Sequence, residues 1–257
     1  MKPRTLASRP PTRLAHWARR LAALALMLLL VAGAAHRFEY LQTADLLRVL
    51  AVDVVIALLA LVAAAIAFVR FWNEGDPVGR DILVAVLLAL VALSPALYAG
   101  TLSAMRPMLN DIATDTADPP QMRLAAQNRS PDMNPLVPIS PANAALQAEA
   151  YPSIQGHRYA LTFDEARAAV DDAIAGAGWN ALPAYESGAG EITIEATART
   201  LVWGFPNDVA IRITDEGGTV YVDMRSASRY GRHDLGDNAA RILSFYERLD
   251  TAARNRM

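Results

Sequence analysis

Apolar positions fall into two regimes along this chain. In the first hundred residues they run almost unbroken; beyond residue 150 they recur with the periods of helices and strands. Leu21–Ala35, Val54–Val69 and Ile82–Gly100 are the apolar runs, the second extended backwards through Leu50, Ala51 and Val52, the third interrupted by Ser94 and Pro95. A spanning helix needs about 20 mostly apolar residues, because the hydrocarbon core satisfies no open backbone group. The pattern predicts transmembrane helices at about 21–35, 50–70 and 82–100. The first run is short and has a second reading, a signal peptide with Ala32-Gly33-Ala34 as its cleavage site; a retained helix is the preferred one.

Residues 105–150 carry Pro107, Pro119, Pro120, Pro131, Pro135, Pro138 and Pro141. Proline removes a backbone donor and fixes φ, so a long regular element is not expected there. We read this segment as an extended strap leading to a domain at 151–257. Asn110, Asp111, Asp115 and Asp118 in it lack the spacing of a calcium loop and suit turn-forming side chains better.

Beyond the strap, Thr162 with Glu165 three residues later is a capping box. Phe163, Ala166, Val170, Ile174 and Ala177 follow at helical spacing, and Gly176 and Gly178 end the run. A short strand is expected within Trp179–Tyr185, then a turn at Ser187–Gly190. Period-two alternation marks strands at Glu191–Thr200, Asp208–Thr214 and Thr219–Ser226. If Gly217-Gly218 alone turns the last hairpin, Arg212 lies opposite Asp223; a four-residue loop puts Tyr221 there instead. A final helix is expected from about Leu235 to Ala252, with Asp234 as its N-cap and Asp237 in its first turn. The fold class is therefore membrane-anchored α+β: three transmembrane helices, then a two-layer domain of two helices on an antiparallel sheet of about four strands.

Charge gives orientation. Lys2, Arg4, Arg9, Arg13, Arg19 and Arg20 precede the first run, and Arg70 and Arg80 flank the second loop. This predicts a cytoplasmic basic leader over 1–20, three crossings and a C-terminal domain outside. Cleavage of the first run would leave the domain on the same side. Asp53 is read as an interfacial carboxylate that snorkels to the surface. Residues 1–106 hold 11 basic and 6 acidic residues, and residues 107–257 hold 13 and 20. An acidic external domain disfavours nucleic acid as a partner. The chain has no cysteine, which excludes disulfides, thiol catalysis and thiolate metal sites. His16, His36, His157 and His233 have no metal-ligand spacing, and no cofactor is expected.

Several separated segments resemble one family. They are Leu109–Asp115 with Asp118-Pro119-Pro120, Tyr151-Pro152, Ile194–Thr200 with Phe205, and Asp208–Ile213. Most specific is the closing part, Val222–Arg229, Gly231, Asp234-Leu235-Gly236, Asn238 and Arg241-Ile242. Together they resemble the domain of unknown function 1499 family over about residues 107–250. The resemblance implies a membrane-anchored bacterial member, hence the inner membrane and the periplasm, and no particular activity. Asn207-Asp208 departs from the two acidic residues usual in the family.

The polar residues of these segments suggest where chemistry would lie. Arg199, Arg225, Ser226, Ser228 and Arg229 could form an anion pocket beside the N-terminus of the last helix. Its ligand would be an anionic small molecule, a lipid head group or an envelope partner. Alternatively the arginines pair with Asp208, Asp223 or Asp234 and fix the corner of the sheet. An envelope hydrolase would use Ser228 or Ser226 with His233 and Asp208 or Asp234, although no nucleophile-elbow pattern surrounds either serine. A purely structural or interaction role is the third reading.

Overall fold

A computed structural model describes residues 13–75 and 77–256. Lys2, Arg4 and Arg9 of the basic leader lie outside the described residues. Three long helices come first, α1 (Arg13–Arg37), α2 (Thr43–Glu74) and α3 (Gly79–Met105), each long and apolar enough to cross a membrane. They outrun the apolar stretches at both ends, since a helix satisfies its own backbone and continues into polar surroundings. Even α1 is about 38 Å long at 1.5 Å per residue.

Small side chains line the contact between α1 and α2: Ala15, Ala18, Ala22 and Ala25 on one, Ala57, Ala60, Ala64 and Ala67 on the other, all buried. In lipid, close backbone approach supplies the packing that hydrophobicity cannot. Asp81, at the start of α3, meets His16 Nδ1 and Arg19 Nη1, both at 2.7 Å. The starts of α1 and α3 are thus together, and the three helices alternate in direction. Pro95 does not end α3. It deprives the Val91 carbonyl of its helical donor, and the Ser94 hydroxyl donates to that oxygen instead, at 2.8 Å. Asp53 is not at the surface. It shares the helical stripe of Ala57, Ala60 and Ala64, is buried with them, and its Oδ1 has no partner among the described residues.

From Gly100 the chain forms a second compact unit with its own core. Its elements are β1 (Asp111–Ala113), α4 (Arg123–Gln127), α5 (Pro141–Ala150), β2 (His157–Tyr159), α6 (Phe163–Gly176), β3 (Asn180–Ala181), β4 (Tyr185–Gly188), β5 (Glu191–Arg199), β6 (Pro206–Asp215), β7 (Val220–Ser228) and α7 (Asp237–Arg254). The sheet has seven strands, not about four, and is antiparallel throughout. Its centre is the β5–β6–β7 meander. The additional strands are pieces of two to four residues that cover the meander's edges, β1 and β2 along β7, β3 and β4 along β5. Covered edges do not recruit other chains, and pieces this short carry no alternation to be read. The β6–β7 hairpin has the two-glycine register, with Arg212 opposite Asp223.

One face of the sheet packs on α6 and α7. Ile194, Val209, Ile211, Ile213, Val222 and Met224 meet Val170, Ile174, Ile242, Phe245 and Leu249, with Trp179 stacked on Phe245 at 5.7 Å. The capping box forms at Thr162 and Glu165. The N-cap of α7 is Gly236, not Asp234; Asp234 instead reaches forward to accept from the Gly236 and Asn238 N–H groups.

The opposite face is covered by residues 114–150. Met122, Ala125 and Leu136 lie on Ala210 and Ala227, whose small side chains let this segment close on the sheet. It includes α5, which the prolines did not forbid: Pro141 occupies the first helical turn, where its missing N–H costs nothing, and Ser140 caps it.

Candidate functional site

Alternation along β7 decides where the candidate residues go. Tyr221, Asp223, Arg225, Ala227 and Arg229 point to the strap face, whereas Ser226 and Ser228 point to α7. The five residues expected to form one anion pocket therefore lie on two sides of the sheet.

On the strap face the cations meet carboxylates. Arg225 makes a bidentate pair with Asp111, Nε to Oδ1 at 3.0 Å and Nη2 to Oδ2 at 2.7 Å, and also donates to the Val137 carbonyl. Asp208 is held by two arginines, Arg129 from the strap and Arg229 from the end of β7, each at 2.7 Å. Arg212 bridges buried Asp223 and strap residue Asp118. Burial pushes the Asp223 carboxyl up to about 6, even against Arg212. Glu195, fully buried, accepts from the Leu124 and Ala125 N–H groups at the start of α4 and from the Tyr185 hydroxyl. Burial, and then that bond to Glu195, push the Tyr185 phenol up to about 12. Arg199 is exposed and donates to the Gly204 carbonyl of its own hairpin.

The serines belong to a different network. Ser226 Oγ donates to Asn238 Oδ1 at 2.8 Å and accepts from Arg241. Ser228 Oγ donates to Asn207 Oδ1 at 2.8 Å and accepts from Asn238 Nδ2. His233 is turned elsewhere: Nδ1 accepts from the Leu235 N–H at 3.0 Å, and Nε2 lies 3.2 Å from the Arg106 carbonyl. Ser228 and His233 are thus not brought into contact, and Asp208 lies across the sheet from Ser228. Asn207 and Asp208, being adjacent in one strand, also face opposite sides. Two carboxylates here would not share a site.

Sequence reasoning missed Arg129, Asn134, Glu195 and Gln147. Arg129 and Asn134 tie the strap to the Ser228 carbonyl, and Gln147 bonds both backbone groups of Ala113. Three of these four sit in the Pro-rich segment, where no periodicity marks an inward face. Between strap and sheet is a cavity of about 50 Å³ bordered by Asn110, Asp111, Arg129, Asn134 and Ser228. It has room for a water molecule or two.

No curated protein and no solved structure matches the chain. One family profile does, described as a protein of unknown function (DUF1499), over residues 111–249. That stretch begins at β1, takes in the rest of the strap, the whole sheet, α6 and most of α7, and exceeds half of the chain. The chain therefore belongs to the DUF1499 family.

Proposed function

We propose that this is a multi-pass protein of the bacterial inner membrane that holds a rigid, non-enzymatic domain on the periplasmic side, where it binds an anionic ligand or an envelope partner. The basic residues up to Arg20, together with Arg70 and Arg80, support this orientation. The carrying observation is the Ser228 hydroxyl: it is buried, its O–H donates to the Asn207 amide oxygen, which is no base, and it accepts from Asn238 Nδ2. A serine nucleophile needs a base within hydrogen-bond reach.

The test compares Ser228→Ala and Arg229→Ala in the full chain, measuring thermal midpoint with and without inorganic phosphate, and hydrolysis of activated esters. On this reading Ser228→Ala costs about 1–3 kcal/mol, the penalty for orphaning buried polar partners, and leaves background hydrolysis unchanged. Loss of hydrolysis without loss of stability would make the domain a hydrolase. A phosphate-dependent rise in midpoint that vanishes in Arg229→Ala would locate the anion at the end of β7.

A further inference from the structure

The two ends of the sheet differ in character. At one end the β6–β7 turn is Glu216-Gly217-Gly218-Thr219, polar residues with two glycines, as turns ordinarily are. At the other end the β5–β6 turn is Thr200-Leu201-Val202-Trp203-Gly204-Phe205. Leu201 is 88% exposed and Val202 72%, with Trp203 and Phe205 partly covered behind them. The turn is firmly closed: Thr200 N–H donates to the Phe205 carbonyl, Gly204 N–H to the Thr200 carbonyl, and Phe205 N–H to Thr200 Oγ1. Gly204, at φ +73°, completes it. The apolar side chains are thus held outward by a fixed backbone.

Strand register places this tip. Asp111, Ala227, Asp208 and Thr197 lie in one row across β1, β7, β6 and β5. The chain reaches that row from the end of α3, six residues before Asp111, and the tip begins three residues beyond Thr197 on the same side. β1 and β5 are three strand spacings apart, about 14 Å. Met105 and Met108, where the chain leaves α3, are 78% and 60% exposed. These two, with Leu201 and Val202, are the most exposed large hydrophobics of the domain among the described residues. Arg106, Arg199 and Arg232 are exposed at the same end. The apolar stretch of α3 ends at Gly100, and five more helical residues carry Met105 about 8 Å further on, the depth of the lipid head-group surface when Gly100 marks the edge of the hydrocarbon. Apolar tips with a tryptophan behind them and arginines around them suit that surface, apolar atoms below the head groups and cations among the phosphates.

We infer that the β5–β6 turn, through Leu201 and Val202, dips into the surface of the bilayer that carries the protein. The inference goes beyond the proposed function and rests only on its membrane-tethered part.

Absence of native cysteine makes the test direct. Full chains carrying Leu201→Cys, Val202→Cys or, at the polar end, Thr219→Cys are labelled with an environment-sensitive fluorophore. They are then reconstituted into vesicles of phosphatidylethanolamine and phosphatidylglycerol. Labels at 201 and 202 should emit at shorter wavelength and be quenched several-fold more than the label at 219 by nitroxides on the lipid tails. Emission at 201 and 202 as water-like as at 219 would overturn the inference. So would a blue shift that lipid-borne nitroxides leave untouched, which would assign the turn to a protein contact. Chains that fail to float with the vesicles would overturn the tethered reading and this one with it.

Discussion

Asp223 shows how the strap face works. Its carboxylate is fully buried and disfavoured by that burial, yet Arg212 answers it with two bonds. Such a pair adds little over an apolar pair of similar size, but breaking it strands a charge. Arg212→Leu should therefore cost about 3–5 kcal/mol, and Arg212→Leu with Asp223→Leu should regain most of it; urea unfolding of the parent, the single and the double variant measures both. Tyr185 carries a pH dependence. Its folded pKa is raised to about 12 by burial and by donation to Glu195, so its contribution is whole below the ordinary phenol value near 10 and lost as pH climbs through 12. Tyr185→Phe should melt below the parent at neutral pH, and the gap in midpoint should shrink between pH 10 and 12. At this scale the chain was partly readable. The capping box and the pairing of Arg212 with Asp223 follow from spacing and from Gly217-Gly218. The partners of Ser228, Asn207 and Asn238, required three separate segments to be placed in space first, and no local signal does that.

Among the elements, the short ones hold the architecture closed. β1 has three residues, and its outer edge is completed by a side chain: Gln147 of α5 accepts from the Ala113 N–H and donates to the Ala113 carbonyl. An amide side chain thus stands in for another strand. Gln147→Ala should leave both groups open, cost about 2–3 kcal/mol, and speed amide exchange at Ala113 far more than at Ile211 in the central strand. The long strands, α6 and α7 were legible because each buries one face, and period alone reports that. The strap was legible only as an interruption. Its side chains are Pro, Asn, Asp and Ala with no repeat, and what organises them is the charge of the sheet beneath, which lies about a hundred residues further on. The three long apolar helices were legible as runs, but Asp53 was misplaced. Hydropathy counts residues, whereas its position on the alanine stripe, in register with Ala57, Ala60 and Ala64, decides which way it points.

The molecule as a whole is two compact units, one of apolar helices and one of α+β structure. The second is joined at both ends of its sequence. Asp111, its first strand residue, pairs with Arg225, 114 residues later, and Asn110 accepts from Asn238, 128 residues later. The first strand therefore has no partner strand until β7 has been made. Contacts so distant in sequence make for slow closure. Removing α7 should abolish the cooperative unfolding transition of the whole domain, not merely lower its midpoint, and protease resistance across residues 111–236 would be lost with it. For a growing chain this sets an order of events. The apolar helices are made first, and β1 then waits about a hundred residues for β7, its partner strand. The domain is thus a latch that closes only once β7 and α7 exist, and a synthesis halted before β7 leaves β1 open to proteolysis.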